Sequence, residues 1–330
     1  MTAIEISSFG GPEVLRPVER PKPIAGPHEI VIRVEAAGVA RADIMQCQGK
    51  YPPPPGASDI PGLDVAGIVD SCGAGVTEFQ PGDRVCAILN GGGYAEFCAA
   101  PVSQVLPTPE NWSSIEAATL PENMFTVYDN LITRGNLAPR ETVLIHGGTS
   151  GIGSIAIMLS KAWGATVIAT AGSEEKCSAC RTFGAEFAIN YRDTDFVARV
   201  KEITSGRGAD VILDVVGGPY LEKNLECLAT EGRIVVVSVQ GGRSGTLDLG
   251  KLMQKRARIG GSTMRARTPE QKGRVRDRLA RDVWPLLPAK SPIRPIIDST
   301  FPLRDARLAH ARMESGAHIG KIILTVEATV

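Results

Sequence analysis

The chain reads as an α/β protein in two parts, a mostly-β first third followed by a doubly wound parallel sheet. Three observations predict this. From Glu141 to Thr263, strand-like apolar runs alternate with helix-period segments at regular intervals, which is the pattern of repeated βαβ units. Runs such as Thr142–His146 (TVLIH), Asp210–Val216 (DVILDVV) and Arg233–Val239 (RIVVVSV) are almost continuously apolar, as strands covered on both faces must be. The first third instead holds short strands punctuated by Gly and Pro, a half-buried all-β pattern with short helices inserted.

In order along the chain, Glu29–Val34 (EIVIRV) alternates apolar and polar residues as a half-buried strand does. Val65–Val69 and Arg84–Leu89 read the same way, with turns such as Pro81-Gly82-Asp83 between them. Pro52 to Pro55 form a stiff loop directly after Tyr51. The alternating part begins with the strand Thr142–His146 and the helix Ile152–Trp163. A strand at Ala165–Ala171, a helix at Glu174–Phe183 and a strand at Phe187–Asn190 follow. Next come a helix at Asp195–Thr204, the strand Asp210–Val216, a helix at Leu221–Ala229 and the strand Arg233–Val239. Arg258–Thr263 supplies a sixth strand. A basic amphipathic helix over Pro269–Leu287 leads to a last strand, Lys321–Val326 (KIILTV). That final segment is too small for a core of its own, so it is expected to fold back onto the first third. The expected domains are therefore 1–120 with 265–330, and 121–264.

Composition removes several function classes. Lys and Arg (36) balance Asp and Glu (36), so no long-range field gathers nucleic acid or an acidic membrane. Aromatic residues make up only 5%, too few for base-stacking platforms. The basic stretch from Lys251 to Arg281 lacks interleaved aromatics and reads as a solvated helix face. No signal peptide or bilayer-length apolar run is visible. The seven cysteines are scattered and odd in number, which speaks against a disulfide framework and for a reducing, cytoplasmic setting. Cys177 and Cys180 have redox spacing but fall inside a helix, and read as two ordinary helix cysteines.

The chemistry concentrates at His146-Gly147-Gly148-Thr149-Ser150-Gly151-Ile152-Gly153, between a strand and a helix. Small residues let the backbone turn sharply, and the helix N-terminus then presents free N–H groups and its positive dipole end to a pyrophosphate. Gly148, Ser150, Gly151 and Ile152 are the candidate contacts. The second strand ends Thr170-Ala171-Gly172-Ser173 without the acid that usually holds a ribose hydroxyl pair. Lys176 lies one turn into the next helix, and Tyr191-Arg192 follow the third strand. A missing carboxylate with a nearby cation favours NADPH, held at Gly172, Ser173, Lys176 and Tyr191. Glu174 and Glu175 oppose this only if one turns inward. His146 ends a buried strand and reads as a hydrogen-bonded core histidine.

These stretches resemble the medium-chain dehydrogenase/reductase superfamily in its zinc-free quinone oxidoreductase branch, nearest the tumour-suppressor-inducible group, with the zeta-crystallin-like group more distant. The resemblance covers nearly the whole chain. Its specific motifs are ADIMQCQGKYPPPPGAS (42–58), GLDVAGIV (62–69), PGDRVCAILNGGGYAEF (81–97), LPENMFT (120–126), ILDVVGG (212–218) and GKIIL (320–324). It implies a GroES-like catalytic domain over 1–120 and 265–330 and a Rossmann NADPH-binding domain over 121–264. Zinc alcohol dehydrogenases of the superfamily carry metal ligands where this chain has Ala40 and Leu63, and a third at or near Glu122. Ala and Leu cannot ligate, so no metal is expected. The branch often has Asn at the position of Ala40, a departure that leaves this pocket roomier. The resemblance further implies Tyr51 as the active-site tyrosine, Ser150 as the serine of the phosphate turn, with a catalytic part, and Thr126 near the nicotinamide. Val216, Ser238 and Gly241 complete the expected cofactor contacts.

The expected activity is metal-free, NADPH-dependent hydride transfer to a quinone, with Tyr51 donating to the oxygen that gains charge. A reductase of α,β-unsaturated ketones or aldehydes is the neighbouring alternative. A cofactor-binding module that senses NADPH or binds RNA without turnover is a third reading, from a different class. The expected partner is a small-molecule quinone or enone, with no nucleic acid and no membrane. The chain is expected to form a homodimer or homotetramer through Arg233–Thr263, and the loop Gln240–Thr246 to move on cofactor binding.

Overall fold

The structure, a computed structural model, describes residues 1–287 and 291–326. In chain order it contains β1 (Thr2–Ile6), β2 (Leu15–Glu19), β3 (Glu29–Gly38), α1 (Arg41–Cys47), β4 (Asp64–Cys72), β5 (Arg84–Ile88), β6 (Phe97–Pro101), β7 (Val105–Pro107), α2 (Ser114–Ala117) and α3 (Pro121–Val127). There follow β8 (Thr142–Ile145), α4 (Gly151–Ala162), β9 (Thr166–Ala171), α5 (Glu174–Phe183), β10 (Phe187–Asn190), α6 (Phe196–Ile203), β11 (Ala209–Asp214), α7 (Gly218–Cys227), β12 (Leu228–Val236), α8 (Leu249–Lys255) and β13 (Arg258–Gly261). The last elements are α9 (Pro269–Asp282), β14 (Ile297–Pro302), α10 (Ala306–Glu314) and β15 (Lys321–Thr325).

The chain divides into two compact units. The first takes the described residues of Met1–Phe125, Met264–Ser291 and Pro295–Val330, the second Thr126–Thr263 with Pro292–Arg294. In the first unit one sheet runs in the order β14-β15-β3-β4-β5-β7, with β6 also paired to β3 and β1-β2 forming a separate ribbon. The C-terminal strand β15 pairs antiparallel with β3, Leu324 opposite Ala37. Strand β3 is longer than its alternating start suggests, and Ile30, Val31 and Ile32 are all buried. The reason is its central place, since it pairs with β4, β6 and β15 and so has little solvent face.

The second unit is a six-stranded sheet in the order β10-β9-β8-β11-β12-β13, every pair parallel. Order reverses at β8, so the phosphate turn lies at the topological switch point, where α/β sheets bind ligands. All of β8 is buried, as its apolar run requires. The helix expected over Pro269–Leu287 stops at Asp282 and gives way to a 3-10 turn at Trp284–Leu286. Pro285 explains this, because proline lacks an N–H and clashes with the preceding turn. The strand expected to end at Val239 ends at Val236, and begins at Leu228.

Candidate functional site

In the second unit, β8 delivers the chain into the glycine-rich turn and Ser150 caps α4. Ser150 Oγ accepts the Gly153 N–H (2.9 Å) and donates to the Gly147 carbonyl (2.8 Å). Its hydroxyl is thus committed to shaping the turn, as an N-cap should be. Gly147 has φ +67°, a left-handed conformation that favours glycine. A Cβ on Gly153 would stand 2.2 Å from the Gly147 carbonyl oxygen, and one on Gly148 2.6 Å from Cys180 Sγ. Glycine is therefore required at both positions for α4 and α5 to approach the turn. Gly151 and Ile152 open α4, where backbone N–H groups have no carbonyl of the same helix to bond. That is the donor set a pyrophosphate needs.

At the end of β9, Ala171 is followed by Gly172 and by Ser173, which caps α5 by accepting the Lys176 N–H (3.3 Å). A Cβ on Gly172 would meet the Tyr191 hydroxyl at 2.8 Å and Arg192 Nε at 3.5 Å. Tyr191 is 42% exposed, so its phenol is available at this corner. Lys176 is half-buried one turn into α5. Glu174 is turned outward into an ion pair with Arg181, and so does not supply the inward carboxylate.

Behind the turn, His146 is fully buried. Its Nε2 lies 2.8 Å from Asn224 Oδ1 and its Nδ1 3.0 Å from Thr170 Oγ1. Asn224 Nδ2 donates to Asp214 Oδ2 (3.1 Å), so the Asn224 oxygen must accept and His146 carries its proton on Nε2. Burial lowers the His146 imidazole from its ordinary range, although the Asn224 bond and the Asp214 charge oppose this. Phe196 and Tyr220 pack edge-on against the ring at 5.0 and 4.9 Å. His146 is therefore a neutral, structural histidine. Asp214 Oδ1 also accepts the N–H groups of Val216 (2.7 Å) and Gly217 (3.0 Å). The Gln240–Thr246 loop is tied to this segment, with Gly241 N–H bonded to the Val216 carbonyl (2.8 Å) and Gly218 N–H to the Gly242 carbonyl (2.9 Å). Ser238 is half-buried just beyond β12, and Thr126 sits on α3 with its carbonyl bonded by Asn130 Nδ2 (2.8 Å).

In the first unit, Tyr51 is half-buried after α1. Burial pushes its phenol up, while the Arg265 charge pulls it down and Glu122 raises it. Ala40, which precedes α1, and Leu63 are both buried and offer no donor atom. Next to Leu63, Asp64 is fully buried, accepts the Glu122 N–H (2.5 Å) and pairs with Lys321 Nζ at 2.5 Å. Glu122 Oε2 is 3.9 Å from the same ammonium. Burial works against the Lys321 charge, but Asp64 and Glu122 together hold it above its ordinary value. Burial pushes the Glu122 carboxyl up to about 7, with Lys321 opposing and Asp64 adding. An ammonium thus neutralises this carboxylate group. No cluster of three or more metal-ligating side chains occurs among the described residues, and the side chains at 40 and 63 do not fit zinc.

Sequence reasoning did not single out Asp214, Asn224 or Arg265. The Asp64–Lys321 pair was equally missed, although a charged residue inside each of the apolar runs GLDVAGIV and GKIIL was an available signal. All seven cysteines are free, and six of them are buried. Burial pushes the thiols of Cys47, Cys98, Cys180 and Cys227 up to about 12.

Residues 26–110 match the family described as alcohol dehydrogenase GroES-like domain, and residues 151–281 match zinc-binding dehydrogenase. The chain is 32% identical to a quinone oxidoreductase of Rattus norvegicus, over 98% of this chain and 97% of that protein. Among solved structures, Escherichia coli quinone oxidoreductase complexed with NADPH matches with a TM-score of 0.84 and 32% identity, over 98% of this chain and all (100%) of that one. An NAD-dependent alcohol dehydrogenase matches with a TM-score of 0.87 and 31% identity, over 99% and 100%. The chain belongs to the quinone oxidoreductase branch of the medium-chain dehydrogenase/reductase superfamily.

Proposed function

We propose that the chain is an NADPH-dependent quinone reductase that works without a metal. The observation that carries this is the corner at Gly172, where a tyrosine hydroxyl and a guanidinium close over a position without a side chain. A 2′-phosphate needs such donors, and a carboxylate there would repel it. The NADPH held by the Escherichia coli relative supports the same choice.

When bound, NADPH supplies hydride from its nicotinamide. The protein's part is to hold and to protonate. The Gly151 and Ile152 amides, with Gly148 and Ser150 shaping the turn, hold the pyrophosphate. Gly172, Ser173, Lys176 and Tyr191 hold the 2′-phosphate, with Thr126, Val216, Ser238 and Gly241 as the remaining cofactor contacts. Hydride addition leaves a quinone with one negative charge on oxygen, and a proton from Tyr51 Oη completes the hydroquinone.

Titration of NADPH and NADH by fluorescence, followed by a screen of quinones and enones, tests this reading. NADPH should bind more tightly and be oxidised only when a quinone is present. Tighter NADH binding would overturn the cofactor, and faster turnover of alkenals would make the chain an enone reductase. Turnover unchanged in Tyr51→Phe would remove the donor role.

For assembly, we propose a homodimer or homotetramer. β13 leaves an edge of its sheet unpaired among the described residues, and Leu249 and Met253 are 62% and 75% exposed. Light scattering showing only monomer would exclude this. No helix among the described residues is long and apolar enough to cross a membrane. The free cysteines fit a reducing, cytoplasmic compartment.

A further inference from the structure

We propose that Arg265 is the positioning residue for the Tyr51 phenol, fastening both ends of the proline loop that carries it. This rests on the reading of Tyr51 as proton donor.

Arg265 is 3% exposed, and its guanidinium lies 5.5 Å from the centre of the Tyr51 ring. Each nitrogen has an acceptor on a different segment. Nη1 donates to the Tyr51 carbonyl (3.2 Å), Nη2 to Gln46 Oε1 (2.6 Å) and Nε to the Asn90 carbonyl (2.9 Å). Gln46 passes the constraint on, donating from Nε2 to the Asp59 carbonyl (2.8 Å). One side chain thereby holds the loop where it leaves α1 at Tyr51 and, through Gln46, where it returns at Asp59. Between them Pro52 to Pro55 fix φ along the loop, so anchoring its ends settles where the ring lies.

The chemistry requires arginine. A planar fork reaches three acceptors in fixed directions while its face covers an aromatic ring, whereas a lysine ammonium is a single point on a flexible stem. The cation also favours the phenolate that Tyr51 becomes after giving up its proton, a state that solvent water then reprotonates. Burial disfavours that anion, and the Arg265 charge opposes the burial.

The test is a mutant cycle of Arg265→Lys, Arg265→Gln and Tyr51→Phe, singly and with the tyrosine and arginine changes combined. Thermal midpoints confirm folding. In the tyrosine background, Arg265→Lys should lower kcat roughly 10- to 100-fold, as displacement of an aligned group does, with NADPH affinity unchanged. In the phenylalanine background it should cost nothing further. Equal losses in both backgrounds would overturn the proposal while leaving the donor role of Tyr51 intact.

An independent arm follows the Tyr51 phenol by ultraviolet difference absorbance, wild type minus Tyr51→Phe. Its titration should move to higher pH in Arg265→Gln and stay near wild type in Arg265→Lys. If Tyr51→Phe alone leaves turnover unchanged, the donor reading fails, and this titration still decides whether Arg265 governs the phenol. An unmoved titration in Arg265→Gln would count against it.

Discussion

The Tyr191 hydroxyl lies 2.8 Å from where a Cβ on Gly172 would stand, so the phenol occupies the space that a side chain at the end of β9 would take. Gly172→Asp should place a carboxylate there, displace the phenol and repel the 2′-phosphate. The dissociation constant for NADPH should rise at least about tenfold, a change of roughly 1.4 kcal/mol, while that for NADH falls. Fluorescence titration with both cofactors measures this. An unchanged preference would mean that the corner does not read the phosphate.

The phosphate turn rests directly on a thiol. A methyl on Gly148 would lie 2.6 Å from Cys180 Sγ and 3.0 Å from Ala169 Cβ. Gly148→Ala should cost about 1–3 kcal/mol, the usual range for overpacking. Adding Cys180→Ala should restore at least half of that. Urea denaturation of the single and double variants gives the answer, and no recovery in the double variant would locate the strain elsewhere.

His146→Leu should destabilise the fold by roughly 2–4 kcal/mol, because Thr170 and Asn224 each lose a buried partner. A neutral core histidine also predicts pH behaviour. Its folded pKa is lowered, principally by burial, so the unfolded chain binds the proton first as pH falls. Wild-type stability should therefore drop as pH passes below the ordinary imidazole range, and this contribution should vanish in the variant. Denaturation midpoints at several pH values report it.

Lys272 is fully buried, with its ammonium on Asn90 Oδ1, and burial together with the charges of Arg265 and Arg267 lowers it to about 7. Between that value and the ordinary lysine value of 10.5, the unfolded chain binds more protons than the folded one. Stability from this group is therefore present at high pH and lost as pH falls toward 7. Lys272→Met should stabilise the protein by about 1–2 kcal/mol at neutral pH, and the advantage should shrink toward pH 10. A variant less stable at both ends would show that the Asn90 bond outweighs the burial of charge.

What the sequence makes legible is local. HGGTSGIG announces its turn because strand, small residues and helix follow one another within a few positions. The parallel strands announce themselves because burial on both faces leaves no polar alternation. Ser150 was legible as a residue of the turn, but local pattern does not reveal that its hydroxyl is spent within it. Long-range convergence is not legible either. Arg265 meets Tyr51 across 214 positions and Lys321 meets Asp64 across 257, and no periodicity records such meetings. Asn224 looks like any polar residue on a helix until Asp214 and His146 are found on either side of it.

The buried thiols have a further meaning under the proposed quinone-reductase function. Quinones are Michael acceptors, and the cysteine thiolate is the nucleophile they arylate. With six cysteines buried and four of their thiols held at about 12, almost no thiolate exists at neutral pH. Cys72, the only one that is not buried, also has its thiol raised, first by burial and then by Asp83. The fold thereby keeps its sulfur in the form least open to such electrophiles.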